Sequence, residues 1–417
     1  MKVIVLGAGV VGVTTAYHLA QAGCEVTVID RQAAAASETS YGNAGLITPG
    51  DSFAWASPAA LKTFVTSLVK PDMGIKVKLN LDPRFLAWTL KFLGQCTAQK
   101  ALENTEKKLR LSVYAREQMA LLAEKTGVQF DRVQKGVLYF YRSQETLDHG
   151  VSHMQFMADK GLPIEVLDRD GLVRHDLGLK HSANQLAGGI LCGVDQTGDS
   201  CKFSRNLAAW CESNMGVRFN WGTSIKTIET TGDKVTKIVT DKGDFTADAY
   251  VMATGCDSPL LLSEIGVKLA LYPVKGYSIT AKITDEAAAP VMGGVDDDKL
   301  IAYSRLGDRI RVACTAEFAG WDRTHTPADF KTVLKTINEL FPNAADYEGA
   351  ERWAGLRPMT PSSVPVIGRT RKYSNLLLNT GHGHVGWTMS CGSGKVVTDL
   401  LLGRTPEMDT TGLIFKG

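Results

Sequence analysis

A short apolar run, Lys2-Val-Ile-Val-Leu6, opens straight into Gly7-Ala8-Gly9-Val10-Val11-Gly12, and no other feature of the chain narrows its fold as much. A continuous apolar pentapeptide of this kind reads as a buried parallel strand. Each glycine then has a mechanical reason: Gly7 permits the tight turn, Gly9 lets backbone approach a pyrophosphate, and Gly12 lets the following helix pack close to the strand. Val13, Ala16, Tyr17, Leu19 and Ala20 continue as a largely apolar helix that Gly23 ends, and Glu25-Val-Thr-Val-Ile-Asp30 supplies a second strand. Strand, turn, helix and strand in this order open a doubly wound dinucleotide fold, with the helix N-terminus facing phosphates. Asp30 is placed to accept hydrogen bonds from a ribose, and a carboxylate there disfavours the 2′-phosphate of NADP. Val10, Val11 and Arg31 are grouped with these dinucleotide contacts. The pattern alone does not separate NAD from FAD.

Composition sets the frame around this motif. A chain of 417 residues exceeds one ordinary compact core and predicts about two domains. A net charge of +2 carries no nucleic-acid signature. None of the eight cysteines forms a C-x-x-C pair, which argues against a zinc site or a redox dithiol, and no metal is expected. The N-terminus lacks the pattern of a signal peptide, and no apolar run approaches the roughly 20 residues that span a bilayer. A reducing, cytoplasmic setting fits best. Pro83 to Leu93 is apolar and aromatic with two cations, which leaves open a peripheral contact with the inner face of the membrane, although a core helix docked on the second domain is the simpler reading.

Along the chain, residues 58–125 read as mainly helical, with Leu61, Phe64 and Leu68 in register, followed by a strand over Gly136 to Tyr141 and a helix over 204–215. Gly216 to Asn220 begins another strand, Val235 to Asp248 carries a turn at Asp241 to Asp244, and Tyr250 to Gly255 is a buried strand ending in small residues. Tyr272 to Ile283 and Leu300 to Ala313 look like antiparallel strands of a separate sheet. From Arg352 onward the expectation is Gly and Pro loops with one strand, Leu376 to Asn379, and a final helix after Gly386. The fold class is therefore α/β, a Rossmann-like dinucleotide domain joined to a second α+β domain built on an antiparallel sheet. Motifs for one cofactor at both ends of the chain make the first domain discontinuous, over 1–82, 150–262 and 350–417, with 83–149 and 263–349 forming the second.

Several blocks point to the identity of the dinucleotide. Glu38-Thr39-Ser40-Tyr41-Gly42-Asn43-Ala44-Gly45 offers hydroxyls and flexible backbone just after the second strand, where an extended FAD would continue toward its flavin. Ile225 and Ala253-Thr254-Gly255 suit further backbone approach. Gly355-Leu-Arg357-Pro-Met-Thr-Pro361, Pro365-Val-Ile-Gly368 and Asn379-Thr-Gly381-His382-Gly383-His384-Val-Gly386-Trp387-Thr388 complete the set. Together with the N-terminal turn, these blocks resemble the D-amino acid dehydrogenase family within the wider group of D-amino acid oxidase and glycine oxidase flavoproteins, and the likeness covers essentially the whole chain. Tyr272 to Ser278 resembles that family's substrate-domain strand.

The resemblance implies FAD as cofactor and Arg357 as the group that binds a substrate carboxylate, a role a planar guanidinium fills through two parallel hydrogen bonds. Tyr277 is a candidate for a contact from the opposite wall, with Lys275 and Tyr303 behind it. His382 and His384 are expected to shape the flavin pocket. The N-terminus of the last helix, at Gly386, would stabilise negative charge on the reduced flavin. The implied reaction is oxidation of a D-amino acid, hydride passing from Cα to the flavin, with hydrolysis to a 2-oxo acid and ammonia and electrons passed to a quinone or another non-oxygen acceptor. Two alternatives stand beside it: an oxygen-using glycine, sarcosine or D-proline type oxidase, and a noncatalytic flavin-binding subunit of an electron-transfer complex. The preferred side chain, the acceptor and the oligomeric state are not readable from the residues.

Overall fold

Val3 and Val5 point to one face of the first strand and Ile4 and Leu6 to the other, and both sets are buried. A strand buried on both faces needs cover on both sides, and that requirement organises the first half of the molecule. The computed structural model describes residues 1–60, 75–77 and 82–416. Among them a six-stranded sheet runs in the order Val366–Arg369, Leu376–Thr380, Ala249–Met252, Lys2–Leu6, Glu25–Ile29, Arg218–Asn220, parallel except at its first strand. Val3 and Val5 join a core formed with the helices Val10–Gln21, Ala98–Thr126, Ser200–Met215 and Gly386–Leu401. Ile4 and Leu6 join a second core beneath the three-stranded sheet Ile225–Thr231, Lys234–Thr240, Gly243–Phe245.

The second sheet is larger. Its strands run in the order Glu351–Met359, Tyr272–Lys282, Arg309–Phe318, Ile301–Leu306, Gly293–Asp296, Val137–Tyr141, Gly188–Cys192, Ile164–Asp168, and Ile75–Val77 pairs with the end of Arg309–Phe318. Most neighbours are antiparallel, as expected, and Gly293–Asp296 with Val137–Tyr141 is a parallel pair. One face packs on the helix Lys331–Leu340.

Three features depart from the sequence reading. Glu351–Met359 is a regular strand, not a loop. Pro358 suggests otherwise because it cannot donate to a ladder, but this strand lies at the sheet edge, with a full ladder on one side and only the isolated Met359–His382 bridge on the other among the described residues, and a proline is tolerated there. Val366–Arg369 is likewise an edge strand, short and antiparallel. Segment allegiance also differs from the expected boundaries: Ile164–Asp168, Gly188–Cys192 and Glu351–Met359 hydrogen-bond in the second sheet, while Leu111, Tyr114, Met119 and Leu122 of the long helix pack in the dinucleotide core.

The helices Pro83–Leu93 and Ala98–Thr126 bear out part of the helical expectation for 58–125, and Ile75–Val77 is a strand instead. The register of Leu61, Phe64 and Leu68 lies outside the described residues. Pro83–Leu93 buries Phe85, Trp88 and Phe92 against Tyr272, Val274 and Phe318, yet leaves Leu86, Leu90 and Leu93 exposed. Among the described residues no helix is long and apolar enough to cross a membrane.

Candidate functional site

The two sheets meet over a cavity of about 1090 Å³. That is slightly above the ~300–1,000 Å³ usual for small-molecule pockets. It runs from the glycine turn, past the N-terminus of the last helix, to Arg357.

At one end, Gly7 has φ +101° and a Cβ there would lie 2.6 Å from the Ala253 carbonyl oxygen. Gly12 is tighter still, since its Cβ would fall 1.9 Å from the Gly7 carbonyl oxygen. Gly12 therefore works from behind the cavity, holding helix to turn, while Gly7, Gly9, Val10 and Val11 line it. A Cβ on Gly9 would meet only the Ser40 hydroxyl, at 3.4 Å. The helix begins at Val10 with no side-chain cap and no acidic residue in its first turn. Its N-terminal amides thus face the cavity without a competing carboxylate, the arrangement that receives a phosphate. Ser40 Oγ accepts from the Val10 amide at 3.1 Å.

Asp30 borders the same end, its carboxylate accepting from the amides of Ala8 at 2.6 Å and Gln32 at 2.8 Å. Burial raises its pKa against the pull of those amides. Arg31 lines the cavity but spends its guanidinium on Glu38 at 2.9 Å and Asp257 at 2.8 Å, which makes it a buttress of the wall. Ile225, Thr254 and Gly255 complete this end, with Thr254 Oγ1 and Ser258 Oγ 3.0 Å apart.

The middle of the cavity is built from the loop after the second strand. Thr39 donates to the Leu356 carbonyl at 2.6 Å, and Asn43 Nδ2 donates to Ser200 Oγ at 2.7 Å while its Oδ1 accepts from the Gly45 amide at 3.0 Å. Ala44 reaches the cavity; Gly45, at φ +74°, sits behind it against Ser304. Facing them, Gly383, Gly386, Trp387 and Thr388 bring in the start of the last helix, which again has no side-chain cap and no acid in its first turn. Thr388 Oγ1 accepts from the Thr48 amide at 3.0 Å. Trp387 is mainly structural, its indole N–H donating to the Gly198 carbonyl at 3.1 Å and its ring 4.8 Å from that of Phe203. Gly381, at φ +77°, lies behind the wall against Thr360.

The loop carrying Thr48 and Asp51 rests on Asp195, which is fully buried and accepts from the Gly50 amide at 2.9 Å and the Tyr139 hydroxyl at 2.7 Å. Burial pushes its carboxyl up to about 7. A raised carboxyl pKa contributes stability that is complete below the unfolded value near ~4 and is lost as pH rises through the folded value. Asp195→Asn, neutral throughout, is expected to flatten the fall in Tm between about pH 4 and 7. Thermal melts across that range check it; an unchanged slope would assign the dependence to Asp176 and Asp51, both raised to about 6, instead.

At the far end, strand alternation aims Arg357 and Gly355 into the cavity. Gly355 has no room for a side chain, because the Trp353 indole lies where its Cβ would be. Arg357 Nη1 donates to the Thr315 carbonyl at 2.8 Å and reaches the Lys275 carbonyl at 3.5 Å. Burial lowers its pKa, and no carboxylate among the described residues forms an ion pair with it. An internal salt bridge, the bland account of this arginine, is absent among those residues. Its charge therefore faces the cavity with a place for an anion.

Tyr277 does not share that face. The neighbouring Gly276 points at Arg357, with a virtual Cβ 2.4 Å from the guanidinium carbon. The period of two turns Tyr277 the other way. Tyr277 is among the lining residues, but its hydroxyl donates to Glu317 and its ring packs edge-on to Phe330 at 5.6 Å. Lys275 donates to the Thr324 carbonyl and Tyr303 is fully buried in the same sheet core, so neither extends the cavity wall. Gly276→Ala should displace the guanidinium without removing its charge, and raise KM about tenfold at unchanged flavin content. Steady-state kinetics on the holoenzyme check this, and an unaltered KM would count against the packing argument.

Sequence patterns do not single out Trp55, Trp353, Thr48 or Asp51, all of which line the cavity. For Trp353 a signal exists: Trp353, Gly355 and Arg357 share one face of a strand once the segment is read with period two.

Comparison with known proteins adds the following. The family described as FAD dependent oxidoreductase matches residues 2–400. A protein named D-amino acid dehydrogenase 2, from Mesorhizobium japonicum, is 52% identical over 417 residues, covering 100% of both chains. A D-amino acid dehydrogenase of Granulibacter bethesdensis is 43% identical over 99% of this chain and 98% of its own. Among solved structures, glycine oxidase from Geobacillus kaustophilus superposes with a TM-score of 0.75 at 20% identity, covering 100% of this chain and 99% of that one, a likeness of fold.

Proposed function

This chain belongs to the FAD dependent oxidoreductase family, and we propose that within it the protein is a D-amino acid dehydrogenase, oxidising D-amino acids to 2-oxo acids and ammonia. The observation that carries the reading is Arg357: a cavity-facing guanidinium without an acidic partner among the described residues, in the same cavity as a phosphate-binding turn. The cavity fits FAD on its own terms. Gly9 borders the space with nothing but the Ser40 hydroxyl within 4 Å of a virtual Cβ, and two helix N-termini without an acidic residue in the first turn line it as well. The turn and the Val10–Gln21 helix would hold the pyrophosphate, Asp30 the ribose, and residues 43–48 with 383–388 the flavin end.

Bound FAD supplies the two-electron acceptor for the Cα hydrogen. The protein's part is placement. Arg357 fixes the carboxylate and with it the direction of Cα, while Trp55, Trp88 and Phe318 exclude water from the space beside it. No acid–base pair of catalytic carboxylates is required, because the imino acid released reacts with water without help. The relatives' names support an acceptor other than oxygen, and we assign a quinone or similar carrier to that role. Anaerobic addition of D- and L-amino acids should bleach the flavin absorbance with the D series only; bleaching by neither would overturn the reading, and peroxide formation in air would overturn the choice of acceptor.

Leu86, Leu90 and Leu93 beside Arg84 and Lys91 support a peripheral contact with a lipid surface. Wild type is expected to sediment with anionic vesicles and a Leu86→Ser/Leu90→Ser variant to stay in solution; equal behaviour would remove this contact.

A further inference from the structure

Arg357 sits on the edge strand Glu351–Met359, and its guanidinium lies across the next strand, Tyr272–Lys282, over Gly276. The hydrogen bond that holds it comes from the third strand, Arg309–Phe318. Nη1 donates to the Thr315 carbonyl at 2.8 Å, whereas the Lys275 carbonyl of the middle strand is 3.5 Å away. The third strand is irregular at this point. Its ladder with Tyr272–Lys282 pairs Lys275 with Glu317 and then Tyr277 with Cys314, so Thr315 and Ala316 together oppose the single residue Gly276, the two-against-one count of a β-bulge. Ala316 pairs onward with Ile75, and Thr315 takes part in no ladder among the described residues.

Thr315 has φ +60°. The left-handed region suits glycine, and a β-branched residue found there is an outlier that costs free energy. Such conformations persist where the surroundings over-determine them, and bulges beside functional sites re-aim the groups they carry. Here the bulge stands directly opposite the glycine that makes room for the guanidinium, and its carbonyl is taken by that guanidinium. Thr315 also lines the cavity, and its hydroxyl has only a long contact, 3.5 Å to Cys314 Sγ. Hydrogen bonding by its own side chain therefore gives no account of a threonine in a conformation that favours glycine.

We propose that Thr315 is a positioning residue: its left-handed bulge aims a carbonyl that fixes the guanidinium of Arg357, and through it the carboxylate of the substrate. The inference rests on the amino acid reading above. Glycine at 315 would reach the same φ without strain, but it would populate the neighbouring regions of φ and ψ as well, and its carbonyl would be directed less closely. The left-handed region open to a residue with a Cβ is small. Threonine thus gives a defined carbonyl direction together with a cost in stability, and the two are separable by substitution.

The test uses the FAD-loaded full chain and the D-amino acid that reduces the wild-type flavin fastest. Thr315→Gly should melt about 1–2 °C above Thr315→Ala, because only glycine takes a left-handed φ freely. The reverse order would mean that the position carries no left-handed strain and would overturn the proposal. In spite of its higher Tm, Thr315→Gly should raise KM about fivefold and change kcat less than about twofold. Thr315→Val, which keeps the β-branch and drops the hydroxyl, should rescue most of that loss. Equal weakening by valine would assign the effect to the hydroxyl, and no weakening by glycine would leave the bulge without a part in binding; either result overturns the proposal. In an Arg357→Ala background the glycine substitution should alter kcat/KM by less than about 1.5-fold, as expected of two residues that act through one contact. A full fivefold loss there would mean that Thr315 acts without Arg357, which also overturns it. Failure of the underlying reading is separately visible, since wild-type flavin would then be reduced by no amino acid at all.

Discussion

Arg357→Ala should raise KM for the amino acid by about two orders of magnitude while FAD remains bound. The expectation follows from what the guanidinium has and lacks. Its bonds to the Thr315 and Lys275 carbonyls hold it in place but leave its charge uncompensated among the described residues. A carboxylate that enters gains charge-assisted hydrogen bonds in a site shielded from water, and removing one partner of such a buried pair costs about 2–5 kcal/mol, or roughly 30- to several-thousand-fold. If the carboxylate contact is equally strong in ground and transition states, the loss falls on KM more than on kcat. Arg357→Lys should recover only a fraction, because a point charge does not reproduce the planar fork. Flavin absorbance of the purified variants, read beside the kinetics, separates substrate binding from cofactor loss. A KM within twofold of wild type would dispose of the assignment.

The same residue shows where sequence reading gains and loses ground. Arg357 is found through its motif, yet its strand reads as a loop, because Gly355 and Pro358 both argue against a strand interior. Nothing in the local sequence says that the strand is an edge, and that tertiary fact makes the proline harmless. Tyr277 misleads differently. Its type and block suit a substrate contact, but which face of Tyr272–Lys282 meets the cavity is decided by the neighbours, and Gly276 takes that side. By contrast the glycine turn, the first two strands and the final helix are readable, because each is fixed by contacts within a few residues. Segment allegiance is the least legible, since the long helix Ala98–Thr126 packs Leu111, Tyr114, Met119 and Leu122 in the dinucleotide core and Leu109 against strands of the other sheet. His382 and His384 stand between these cases: visible in sequence as a pair, both lining the cavity, and told apart only when Ser393 is seen beside His382.

The second large effect is expected at Gly12, which the cavity does not touch. A Cβ there would lie 1.9 Å from the Gly7 carbonyl oxygen and 2.9 Å from its carbon, so Gly12→Ala cannot be accommodated by a side-chain rotation. Either the helix Val10–Gln21 moves away from the turn or the turn opens. Both motions displace the amides that would receive the pyrophosphate, and overpacking of this kind typically costs about 1–3 kcal/mol before any loss of binding. The expected result is a folded chain with an unchanged far-UV spectrum and less than about a tenth of the wild-type flavin content. Gly23, at the other end of the same helix, supplies the comparison: it has φ +89° but nothing within 4 Å of its virtual Cβ. Gly23→Ala therefore adds only backbone strain, about 1 kcal/mol, and should lower Tm modestly while keeping its FAD. If both variants retained flavin equally, the close approach of Gly12 to Gly7 would be a packing detail without consequence for the cofactor. If only Gly12→Ala lost it, the third glycine of the turn would act on the dinucleotide entirely through the position of the helix, without lining its site.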